Sequence, residues 1–114
     1  MMKIKKVEHD SKNPRGWEIL VGYALAPLCL EKVIDSSVPR PTKGHPKYTR
    51  WIFWSRMVAS WMYTQVDETL QERIQHMAHR PQYADDMMDK LMTMVQGSDK
   101  ADNTINEIMK FDKI

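Results

Sequence analysis

The strongest constraint on this chain is a run of apolar residues at helical spacing. Trp51, Trp54, Val58, Trp61, Met62, Gln65, Val66, Leu70, Ile74 and Met77 recur every three or four positions. That spacing puts them on one broad face of a helix and predicts a single long helix from Tyr48 to His79. Pro81 supplies the stop, because its ring disfavours helical backbone in the residue before it.

The rest of the chain must cover that stripe. A second helix is expected from Gln82 to Gln96, with Ala84, Met87, Met88, Leu91, Met94 and Val95 inward and Gly97 at the C-terminal cap. Ser98 or Asp99 can cap a third helix that turns Ala101, Ile105, Ile108 and Met109 inward. Short connections between such helices favour antiparallel packing. The fold class this implies is mostly α: a small single-domain helical bundle over residues 1–114, with three to four helices, one of them long. With 114 residues, 42% of them hydrophobic, the chain has the size and the apolar content for one core.

Upstream the pattern divides. Lys12-Asn13-Pro14-Arg15-Gly16 reads as a turn. After it, Trp17, Ile19, Val21, Tyr23 and Leu25 alternate as in a strand, while Trp17, Leu20, Val21, Leu25 and Leu28 fit a helical stripe. Residues 17–24 stay open between the two. As a strand they could pair with residues 3–8 in a short N-terminal β-hairpin. Leu25 to Ile34 is expected to be helical, and residues 36–47 form a Pro/Gly-rich basic loop around Pro39, Pro41, Gly44 and Pro46.

Cys29 is the only cysteine, so no internal disulfide or CxxC metal pair can form. The expectation is a buried small hydrophobe in a reduced, cytoplasmic setting. The uncharged stretch Ile19–Leu30 is too short to cross a bilayer, and it follows Glu8, Asp10 and Glu18, unlike a signal peptide. No transmembrane segment is expected.

Charge is segregated. Between Asp35 and Asp67 there is no acidic residue, but there are Arg40, Lys43, Lys47, Arg50, Arg56 and His45. Tyr48, Trp51, Phe53, Trp54, Trp61 and Tyr63 are interleaved with them. From Asp67 onward acids outnumber bases ten to six. Two readings follow. Trp, Tyr, Met and Arg dominate protein interfaces, and Phe53 falls off the inward stripe, which points to a protein partner or a homodimer. Cations beside aromatic rings also suit nucleic acid, through phosphate neutralisation and base stacking. The overall net charge of +2 favours the first.

The candidate surface is therefore Arg40, Lys43, Lys47, Tyr48, Arg50, Phe53 and Arg56, with Trp51, Trp54 and Trp61 assigned to the core. Its function is expected to be that of a non-enzymatic regulatory or adaptor protein that binds a protein partner; nucleic-acid binding by the same segment is the alternative. Glu68, Glu72, His76 and His79 share one face of the expected long helix. They make weak metal candidates, since the pattern is neither HExxH nor the Glu-x-x-His of di-iron bundles. No GxSxG, P-loop or GxGxxG motif is present, so no cofactor and no catalytic residue is expected.

Overall fold

The computed structural model describes residues 3–95. They build a mostly helical domain around one apolar core, with four α-helical segments and no β-strand among the described residues. Helix α1 runs Pro14–Leu25, α2 runs Tyr48–Thr64, α3 runs Glu68–Gln75, and residues 84–95 form α4. The expected third helix after Gly97 lies outside the described residues, as does Gln96.

The N-terminal hairpin is not formed. Residues 17–24 belong to α1. The segment read as a turn is a helix start: the Asn13 side chain accepts a hydrogen bond from the Gly16 amide at 3.1 Å, and Pro14 occupies the first turn. An Asn cap followed by a proline that needs no N–H partner outweighs the strand-like alternation. Trp17, Val21, Ala24 and Leu25 then face the core.

Leu25–Ile34 is not a continuous helix. Two 3-10 turns, Ala26–Leu28 and Glu31–Ile34, replace it. Pro27 cannot extend an α-helix, and Cys29 takes the left-handed conformation at φ 58°. The Cys29 amide donates to Ala26 O and the Leu30 amide to Leu25 O, the paired bonds of a Schellman ending. Cys29 is exposed rather than buried, because that turn swings it away from the core.

The single long helix expected from Tyr48 to His79 is broken between Thr64 and Glu68. Asp67 causes the break. Its carboxylate caps α3 by accepting from the Leu70 amide at 2.9 Å. The extended N-terminal arm fills the gap. Val7 and Val66 form a parallel bridge in which the Val7 amide donates to Gln65 O at 3.1 Å and the Asp67 amide to Val7 O at 3.0 Å. The Ile4 amide donates to Gln65 Oε1. His9 sets both its backbone N–H and its ring Nδ1 against Asp67 Oδ2, each at 2.8 Å. Burial alone would raise the Asp67 pKa. The Leu70 amide and the two His9 contacts outweigh it and hold the carboxyl below its ordinary 3.8.

The core joins Val7, Trp17, Val21, Leu25, Ile34, Val58, Met62, Val66, Leu70 and Ile74 to Met87, Met88, Leu91 and Val95 of α4. None of Trp51, Trp54 and Trp61 is among its buried residues. Helix α2 instead turns Ser55, Val58, Ala59 and Met62 inward. With Ser55 and Ala59 on the buried side, the tryptophans stand on its flanks, half-buried. Trp61 packs on the edge of the core. Ser55 is fully buried, and its hydroxyl accepts from the Ala84 amide at 2.8 Å, satisfying an end group of α4.

Candidate functional site

The basic loop enters α2 from one side of the domain, and its first cation is tied down within the chain. Arg40 Nε donates to Asp85 Oδ2 at 2.8 Å and its NH2 group to Asp85 Oδ1 at 2.7 Å. The same NH2 group lies 2.8 Å from Asp86 Oδ2. The guanidinium carbon sits 5.1 Å from the centre of the Trp51 ring and 4.9 Å from that of Tyr83, and the two rings lie 5.3 Å apart. Fork-to-fork pairing with a carboxylate is an arginine geometry that lysine cannot copy, and the planar guanidinium is also well suited to contact with aromatic faces. The Asp85 bonds, above all, raise the Arg40 pKa. Partial burial opposes them, and the Asp86 bond adds to them. Asp85 and Asp86 also sit in the first turn of α4, where the helix dipole favours negative charge.

The remaining cations of the segment are not so engaged. Among the described residues, Lys43, Lys47, Arg50 and Arg56 have no carboxylate within ion-pairing distance. Arg56 contacts the Tyr83 ring at 5.7 Å. Lys43, Lys47 and Arg50 are exposed around the start of α2. That start has no side-chain cap and no acidic residue in its first turn. The positive end of the helix dipole and three cations therefore add to one local positive field. The loop is ordered by local bonds to backbone and to the His45 ring: the His45 amide donates to Thr42 O, the Lys47 amide to His45 Nδ1, and the Tyr48 amide to His45 O.

Phe53 is 56% exposed and Met57 46%. With Arg50 they occupy the outward side of α2 at spacings of three and four residues, opposite Ser55, Val58, Ala59 and Met62. Trp54 stands edge-on to Phe53, with ring centres 5.3 Å apart. Tyr48 is half-buried. The seven candidate residues thus divide. Arg40 braces the loop, Tyr48 is partly covered, Arg56 is exposed beside the Tyr83 ring, and Lys43, Lys47, Arg50 and Phe53 face outward.

Two features escaped the sequence reading. The clamp on Arg40 joins residues 45 positions apart, and no local pattern announces that. A groove of about 770 Å³ also opens between α2, α3 and the approach to α4. Its walls include Arg56, Tyr63, Ile74, Arg80 and Met87, with no carboxylate among the described residues that line it.

The face proposed for Glu68, Glu72, His76 and His79 depended on an unbroken helix. Helix α3 ends at Gln75, with His76 at its cap and His79 beyond it. Among the described residues, no three His, Cys, Asp or Glu side chains are grouped so as to hold a metal ion. Nor is any helix there long and apolar enough to cross a membrane. No family model, curated protein or solved structure matches the chain, so the site is read from its own chemistry. What these observations establish is a small helical domain with ion-paired and aromatic surface features of the kind that protein interactions use.

Proposed function

We propose that this protein is a non-enzymatic interaction module. Its partner is a protein segment that carries acidic and apolar side chains and docks on the outward side of α2. One observation carries the reading: among the described residues, Lys43, Lys47 and Arg50 lack carboxylate partners at the uncapped start of α2, in line with exposed Phe53 and Met57. The cations select an acidic partner and speed encounter, while the apolar side chains supply contact area. Arg40 takes no direct part. It fixes the loop so that the cations behind it are displayed in one place, which lowers the ordering cost on binding.

Nucleic acid is the second reading, since the same cations suit phosphate. It is weakened by Trp51, whose ring contacts Arg40 and Tyr83 rather than standing free to stack on a base.

Display of random peptides against the immobilised full chain separates the two. The proposal expects enrichment of peptides that combine acidic and aromatic or aliphatic residues. It also expects their loss with Arg50→Glu or Phe53→Ser. Enrichment indifferent to both substitutions rejects the site. A chain that captures no such peptide, yet shifts single-stranded DNA at low salt until Lys43→Glu and Arg50→Glu are combined, belongs to the nucleic-acid reading.

A further inference from the structure

The groove between α2, α3 and the approach to α4 has no part in the surface assigned so far. Its floor is the buried trio Ala59, Ile74 and Met87, with the half-buried Tyr63 ring beside them. Arg56 stands on the α2 wall and Arg80 on the wall before α4, both exposed. Arg56 meets the Tyr83 ring, and neither arginine has a carboxylate within ion-pairing distance among the described residues. Asp86 shares a neighbouring depression with Arg80, but its carboxylate is engaged 2.8 Å from Arg40. Two guanidiniums over an apolar floor define a chemistry. A carboxylate seated between them gains from both and accepts the two-pronged bonds that guanidinium donates. An apolar group attached to it is withdrawn from water on the floor.

We propose that this groove anchors the partner segment, taking one of its apolar side chains on Tyr63, Ile74 and Met87 and a neighbouring carboxylate on Arg56 and Arg80. The inference rests on the protein-partner reading above and gives that partner a second, more specific point of attachment.

Charge complementarity and three further observations select this occupant. The first is continuity. Phe53, Arg56, Met57 and Ser60 stand at i, i+3, i+4 and i+7 of α2, so they are neighbours on its surface. Ser60 and Arg56 are already part of the groove wall. The exposed line from Arg50 through Phe53 therefore runs into the groove. From Phe53 to Ser60 is about 10 Å along the axis, a gap that about three extended residues span. The second is shape. This is an open trough, not an enclosed cavity. Small-molecule sites bury ~70–90% of their ligand, whereas a trough suits a chain that passes through it. The third concerns the protein's own residues 96–114. They set Asp99, Asp102, Glu107 and Asp112 against Lys100, Lys110 and Lys113, so they offer the arginines little net negative charge. Met87 lies in the first turn of α4, and the described chain leaves that helix at Val95. That exit is about 12 Å farther along the axis, away from the groove.

A peptide captured by the full chain through Phe53, followed by fluorescence anisotropy, tests the anchor. Combining Arg56→Gln with Arg80→Gln should weaken binding about tenfold, with circular dichroism unchanged because both side chains are exposed. Replacing the peptide's acidic side chain by its amide should cost as much on the wild type and almost nothing on the double variant. A general loss of positive field would not produce that coupling. With Gln82→benzoylphenylalanine on the groove wall, light should cross-link the peptide. A peptide lost with Phe53→Ser but indifferent to the double variant overturns the anchor and leaves the earlier reading standing. A chain that captures no peptide overturns both. Cross-linking to residues 96–114 of the same chain, undiminished by added peptide, assigns the groove to that segment and overturns the anchor alone.

Discussion

Arg40 and Arg50 belong to the same basic segment, yet their surroundings have nothing in common. Arg40 meets two carboxylates and two aromatic rings, and one of those carboxylates, on Asp85, is almost fully buried. Arg50 stands on the outward side of α2 with no carboxylate of the described residues within pairing distance. A count of positive charges treats them alike. Their neighbours separate a residue that holds a loop in place from one left available to something outside the domain. A basic run in a sequence is thus two populations, and only the unpaired one can be assigned to a ligand.

The comparison can be broken most directly at Arg40. Arg40→Ala strands Asp85 as an uncompensated buried charge. A fully buried pair broken in this way loses about 3–5 kcal/mol, and solvent screening at the 39% exposed Arg40 side chain reduces that to about 2–3 kcal/mol. Urea unfolding monitored by circular dichroism reads the loss, and a midpoint equal to that of the wild type would refute the clamp. Arg40→Lys should recover little, because an ammonium cannot fork onto Asp85.

Ser55→Ala comes next, at about 1–2 kcal/mol, because it leaves the buried Ala84 amide without its acceptor. The same unfolding measurement applies, and a change near zero would mean that the start of α4 is satisfied in another way.

Acid supplies a third, more modest effect, through Asp67. Its folded pKa is depressed, so its contribution is present above the ordinary 3.8 and disappears as pH falls through the lower folded value. In that window the unfolded chain takes up the proton first, and acid favours unfolding. Stability should therefore drop more steeply below about pH 4 in the wild type than in Asp67→Asn, by thermal melts across the range. Parallel curves would show that the carboxylate adds nothing. The smallest effect belongs to the other arginine: Arg50→Ala should change stability by less than about 0.5 kcal/mol while removing peptide capture. A large loss of stability there would erase the contrast with Arg40.

The sequence announces the helices more clearly than their interruptions. Apolar spacing places α4 and most of its inward residues, because burial on one side of a helix leaves a periodic trace. The break at Asp67 has a local signature, an aspartate capping the turn before an apolar residue, but the continuing apolar stripe on either side conceals it. Asn13-Pro14 is similar: the same residues start turns and cap helices, and only the packing of Trp17 and Val21 decides between them. The candidate surface is legible in outline, since an acid-free stretch is visible by inspection. Which of its cations are paired is not, because Arg40 and Asp85 meet through tertiary structure alone. Ile19 and Tyr23 show the cost of the open strand-or-helix reading: alternation would set them beside Trp17 and Val21, whereas α1 leaves both exposed.

The arm that bridges Val7 to Val66 bears on the order of assembly. His9 and Asp67, which it brings together, are 58 residues apart in the chain. Closing a loop of that span carries an entropic penalty before any contact offsets it. Helices α1 and α2 can form from near neighbours, but this clasp has to wait for both ends of the enclosed stretch to be in place. It should fasten late and be the first to loosen when the domain breathes, baring the junction of α2 and α3 while the rest of the core stays shut.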